Sequence, residues 1–126
     1  MNVLVLGSGA REHAICWSLA SSTLISKLYC APGNPGIEDE AQCINLNIDN
    51  NQEIIDFSKK HNINLVVPGP ETQLVNGIVD DLKKNNIKAF GPSKAAAKLE
   101  GSKKFTKDVC TKANIPTAKF NYFKEK

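Results

Sequence analysis

The sequence predicts an α/β fold with an open, mainly parallel sheet built of right-handed βαβ units. Three observations carry that expectation. Short apolar runs alternate with helical stretches across residues 2–90, the order that parallel βαβ units require. The first run, residues 2–6, is almost continuously apolar, as suits a strand covered on both faces. The first three runs each end in a loop rich in glycine or proline, at residues 7–9, 32–36 and 68–70, which are strong stop signals.

Taken in order, Asn2 to Leu6 is the first strand, broken by Gly7, Ser8 and Gly9. A helix is expected from about Arg11 to Ser22. Leu24 to Cys30 contains a second strand, and Cys43 to Ile48 a short extra one. Gln52 to His61 reads as a helix with Ile54, Phe57 and His61 on one side. Asn64 to Val67 is the next strand. Leu74, Val75, Ile78, Val79 and Leu82 then recur at helical spacing, the clearest amphipathic pattern in the chain. Ile87 to Phe90 is a further strand, stopped by Gly91 and Pro92. Lys94 to Leu99 and Lys103 to Ala113 read as helices, and Thr117 to Phe120 as the start of another strand. Residues 1–101 are expected to form one domain. Residues 102–126 look like the opening of another that the sequence does not finish.

The 126 residues are 41% hydrophobic and 23% charged, the balance of a folded rather than a disordered chain. No apolar run approaches the ~20 residues that span a bilayer. The start lacks the basic segment and cleavage site of a secretory leader. A cytoplasmic protein with no membrane partner is expected. Cys16, Cys30, Cys43 and Cys110 form no C-x-x-C pair, so they read as core or surface thiols. No metal ligands are expected in the chain. Residues 1–93 carry 7 basic and 10 acidic groups, while residues 94–126 carry 9 lysines and 3 acids. That basic end suits an anionic partner or a solvated helix face equally well. It carries no recognition motif for nucleic acid, which is not expected as a partner.

The chemistry gathers at the three loops. In Gly7-Ser8-Gly9-Ala10-Arg11-Glu12-His13 the glycines let backbone approach a ligand closely. The following helix presents free N–H groups and the positive end of its dipole. Arg11 adds a charge that can fork onto phosphate. Asn34, in Pro32-Gly33-Asn34-Pro35-Gly36, lies in the second loop, and Glu71 follows Pro68-Gly69-Pro70 in the third. A carboxylate there can accept ribose hydroxyl hydrogens, or simply favour a helix start. A dinucleotide site wants a small residue at position 12 and an acid after the second strand. Glu12, Cys30 and Ala31 stand there instead, against a nicotinamide or flavin cofactor. His13 reads as a packed or capping histidine.

Five segments in order, VLVLGSGAREHA (Val3 to Ala14), APGNPG (Ala31 to Gly36), VPGPE (Val67 to Glu71), LEGSKKFTK (Leu99 to Lys107) and IPTA (Ile115 to Ala118), resemble the amino-terminal part of the phosphoribosylamine–glycine ligases, or glycinamide ribonucleotide synthetases. R-E-H-A with L-E-G-S-K is far more specific than G-x-G, and separates this family from other ATP-grasp enzymes. The resemblance implies a Rossmann-like pre-ATP-grasp domain followed by the start of an ATP-grasp domain. It implies an ATP-dependent ligation of glycine to 5-phosphoribosylamine in purine synthesis, using ATP with Mg2+ or Mn2+ held downstream of these residues. Gly7, Gly9, Ala10, Arg11 and Glu12 would hold the substrate phosphate. Asn34, Gly69, Pro70 and Glu71 would face the ribosyl part, and Lys103 the ATP site. No catalytic residue is expected within the chain, which by itself would not catalyse. The family usually has glycine at Ala10, and a small residue then proline at Thr72 and Gln73. The other reading is a stand-alone binding module for a phosphorylated sugar or nucleotide.

Overall fold

The structure, a computed structural model, describes residues 1–123. The elements run β1 (Asn2–Gly7), α1 (Ala10–Ala20), β2 (Lys27–Pro32), β3 (Gln42–Cys43), α2 (Asn51–Lys60) and β4 (Leu65–Pro68). They continue through α3 (Glu71–Asn76), α4 (Ile78–Lys84), β5 (Lys88–Ala89), α5 (Lys94–Gly101) and α6 (Lys103–Lys112). The fold is α/β, and its five strands lie in the order β3-β2-β1-β4-β5 with every pairing parallel.

Both faces of the sheet are covered, which explains the continuous apolar run in β1. Val3 and Val5 point into one core with Cys16, Leu28, Cys30 and Ile37, beneath α1. Leu4 and Leu6 point into the other with Tyr29, Ile54, Ile78 and Leu82, beneath α2 and α4. This is the alternation of successive strand side chains. The register then fixes where the loops fall. Gly7 pairs with Pro32 and Leu6 with Pro68, so β1, β2 and β4 end side by side and deliver their loops to one edge.

Four elements differ from the sequence expectation. β3 is only Gln42–Cys43, and residues 44–48 of the expected extra strand form none. The amphipathic stretch from Leu74 to Leu82 is two helices, because Gly77 takes a left-handed conformation (φ 92°, ψ 25°) between them. Its N–H donates to the Gln73 and Leu74 carbonyls at 3.1 and 3.0 Å and closes α3. The apolar spacing runs across this break and hides it. β5 is only Lys88–Ala89. Residues 117–120 are irregular rather than a strand. They lie beside no strand and are tied instead to α6, where the Lys107 ammonium donates to Thr117 Oγ1 at 2.5 Å and the Ala118 carbonyl at 3.1 Å.

Ser93 and Ser102 start α5 and α6 as side-chain caps, accepting the N–H of Ala96 at 3.3 Å and of Phe105 at 3.2 Å. α5 packs on α3, whereas α6 packs on α5 and buries none of its own residues. The expected second domain, 102–126, ends at residues 124–126, outside the described residues. Among the described residues no helix is long and apolar enough to cross a membrane.

Candidate functional site

β1 stops at Gly7, whose φ of +124° only glycine adopts readily. Two residues on, Gly9 caps α1 in an extended conformation. Glu12 folds back, and its Oε2 accepts the Gly9 N–H at 2.7 Å. The first intrahelical bond runs from the His13 N–H to the Gly9 carbonyl at 3.0 Å. The N–H groups of Ala10, Arg11 and Glu12 therefore open the helix without an intrahelical acceptor.

These groups floor a cleft of about 290 Å³ lined by Gly9, Ala10, Arg11, Glu12, Pro70 and Glu71. Arg11 Nη1 donates to the Gly69 carbonyl at 2.9 Å and stands 4.0 Å from Glu71 Oε2. The Arg11 and Glu71 side chains are 67% and 58% exposed. Such a pair contributes little to stability, so both groups are free to turn to a ligand. The result is one cation and three N–H donors on one wall and a carboxylate on the other.

The remaining residues expected at the site do not line this cleft. Gly7 and Gly69 are buried beneath it. Asn34 is spent on the loops, its Nδ2 donating to the Ser8 carbonyl at 2.8 Å. Its Oδ1 accepts the N–H of Gly36 at 2.8 Å and of Ile37 at 3.2 Å. Lys103, exposed in the first turn of α6, is not among the cleft residues. The His13 ring lies close to Gly36 and does not line the cleft.

Two supports went unseen in the sequence. The Cys30 thiol donates to the Gly7 carbonyl at 3.4 Å. Contact with Cys16, then burial, push the Cys30 thiol far up, and burial pushes Cys43 up, so both keep their protons. Gln73, 3% exposed, donates from Nε2 to Asp49 Oδ1 at 3.0 Å and anchors the helix that carries Glu71. A polar residue in a short helix gives no sequence signal of such burial. A larger groove of about 680 Å³ lies between α2 and α4, but its carboxylates are already engaged. Asp81 accepts from Asn51 at 2.9 Å and Lys84 at 3.0 Å, and Asp49 from Gln73.

Residues 1–100 match the family model described as phosphoribosylglycinamide synthetase, N domain. The chain belongs to that family. Among relatives, the phosphoribosylamine–glycine ligase of Mesorhizobium japonicum is 57% identical over 125 residues, covering 99% of this chain and 29% of that protein. The ligase of Clostridium acetobutylicum is 47% identical, over 98% of this chain and 30% of that protein. The crystal structure of the Thermotoga maritima ligase superposes with a TM-score of 0.68 at 28% identity, covering 96% of this chain and 27% of that one. A biotin carboxylase domain from Hydrogenobacter thermophilus, solved with MgADP, shares the fold with a TM-score of 0.69 at 22% identity, over 92% of this chain and 28% of that one. The chain thus spans about three-tenths of the length of the phosphoribosylglycinamide synthetase relatives it matches. The cleft lies at the loop edge of the sheet, within the residues that the family model matches, where open α/β sheets take their ligands.

Proposed function

We propose that the chain is the substrate-holding part of a phosphoribosylamine–glycine ligase. The reaction has two steps. The γ-phosphoryl group of ATP passes to the glycine carboxylate, giving an acyl phosphate and ADP. The amine of 5-phosphoribosylamine then attacks that carbonyl, expelling phosphate and forming the amide of glycinamide ribonucleotide. Positioning and charge stabilisation dominate such chemistry.

The chain's contribution is to bind and orient. The N–H groups of Ala10, Arg11 and Glu12 and the Arg11 guanidinium receive the 5-phosphate. Glu71 accepts hydrogen bonds from ribose hydroxyls. Asn34, Gly7 and Gly69 hold the loops that shape the cleft. Residues 1–101 form the substrate domain, and residues 102–126 begin the ATP-grasp part, with Lys103 facing the nucleotide. The weak packing of α6, which buries none of its residues, supports that division. Among the described residues no group of three or more His, Cys, Asp or Glu is placed to hold a metal ion. The Mg2+ site and the catalytic step are assigned to the rest of the ligase, not to these residues. The proposed setting is the cytoplasm.

The observation that carries this reading is the convergence of a helix N-terminus, Arg11 and Glu71 on one cleft. The test is an amide NMR titration with glycinamide ribonucleotide, the stable product, with NAD as control. Shifts at Gly9, Arg11 and Glu71 are expected with the ribonucleotide only. Arg11→Ala should weaken binding by about tenfold or more, the loss of a charge-assisted bond. Binding of NAD alone would overturn the reading.

A further inference from the structure

Glu12 is 5% exposed, although it belongs to the helix start that floors the cleft. Its side chain occupies the space beside three glycines at once. A methyl group at Gly7 would lie 2.7 Å from Glu12 Cδ and Cγ, and one at Gly9 would lie 2.9 Å from Oε2. At Gly69 the distance would be 2.5 Å to Cδ and Cγ, and the three nearest atoms are all from Glu12. The glycines clear a hollow between the β1–α1 and β4–α3 loops, and the glutamate fills it.

That hollow is where a second phosphoryl group would go. Glycines at the end of the first strand let a diphosphate approach backbone N–H groups in dinucleotide sites. Here the Gly9 N–H is already taken by the Glu12 carboxylate. A second phosphate would find that volume filled by a buried side chain and the Gly9 donor already taken. The donors that remain, on Ala10, Arg11 and Glu12, suit one terminal phosphate.

We infer that Glu12 is a specificity-determining and positioning residue. Its side chain wedges the two loops apart at a fixed separation and excludes diphosphate-bearing ligands, while only its backbone N–H meets the bound phosphate. This rests on the cleft being the phosphate site proposed above.

The test measures binding of ribose 5-phosphate and of ADP-ribose to the chain and to Glu12→Ala and Glu12→Gln, by amide NMR titration. The wild-type chain is expected to prefer ribose 5-phosphate by at least tenfold. Glu12→Ala opens the hollow and frees the Gly9 N–H, and should lower that preference at least tenfold. Glu12→Gln keeps the volume and an acceptor for Gly9, and should retain the preference within about threefold. The Gly9 amide reports folding and position independently of ligand. It should be protected from exchange in wild type and Glu12→Gln, and lose protection in Glu12→Ala. If Glu12→Ala leaves the preference intact, or Glu12→Gln abolishes it as fully as Glu12→Ala does, the inference fails while the phosphate site stands. If the wild-type chain ignores ribose 5-phosphate, the phosphate site fails and the inference with it.

Discussion

Gly69 can gain a methyl group only if Glu12 moves. Its backbone is outside the left-handed region, so an alanine there meets no conformational penalty. The whole cost comes from the approach to the Glu12 side chain, nearest at its Oε1 and then at Cδ and Cγ. Gly69→Ala alone should destabilise by about 1–3 kcal/mol, the usual cost of overpacking. Glu12→Ala alone leaves a hollow and an unpartnered Gly9 N–H, again about 1–3 kcal/mol. In the double variant the new methyl enters the emptied space, so the two costs should fall short of their sum by about 1 kcal/mol or more. Urea unfolding of the four proteins measures this. Strict additivity would mean that Glu12 is not what confines Gly69. The sequence marked both residues as site residues but could not show that they touch. They lie 57 positions apart, and only the pairing of β1 with β4 joins them. The contact of Glu12 with the Gly9 N–H was hidden too, because glycine at the cap position lacks the Ser or Thr that marks a capping box.

At the scale of elements, Gly77 decides how α3 meets α4. With φ at 92° it ends one helix and starts the next, and the Lys94 stem lies 3.0 Å from where its side chain would begin. Gly77→Ala should cost about 1–2 kcal/mol, the left-handed penalty for an L-residue. Gly77→Asn should cost less backbone strain, since asparagine tolerates that region. Thermal unfolding of both variants orders them. If alanine is tolerated as well as glycine, the break between α3 and α4 is not held by Gly77. Most elements were legible because their apolar spacing matches a strand or helix period and punctuation bounds them. Gln52 to His61, for example, lies within one residue of α2 at either end. The break at Gly77 was not legible, because Leu74, Val75, Ile78 and Leu82 keep a single stripe across it. Thr117 to Phe120 misled for the opposite reason. Its composition allows a strand, but a strand needs a neighbour, and these residues bond to the Lys107 side chain instead.

At the scale of the whole molecule, the two faces of the sheet carry separate duties. α1 and its cleft lie over one face, while α2 and α4 close the other. The second face carries a carboxylate tied into the packing of α2 against α4. Asp81 on α4 is held below its ordinary value first by the hydrogen bond from Asn51 on α2, then by Lys84. A carboxyl lowered in the folded state stabilises only while it is ionised. Its contribution is therefore complete above the unfolded value of about 3.9 and is lost as pH falls through the lower folded value. Because the carboxylate is 36% exposed, the effect should not exceed about 1 kcal/mol. Asp81→Asn should be less stable than wild type at pH 7 by that small amount, and the gap should begin to narrow below about pH 4. Urea unfolding from pH 7 to pH 3 measures it. Amide shifts of Gly9, Arg11 and Glu71 in the same variant should stay unchanged, since the sheet separates Asp81 from α1. A gap unchanged between pH 7 and pH 3 would show that the carboxylate acts through packing rather than charge. Shifts at Gly9 and Arg11 would show that the two faces are coupled through β1 and β4, and that the cleft senses the helix pair behind it.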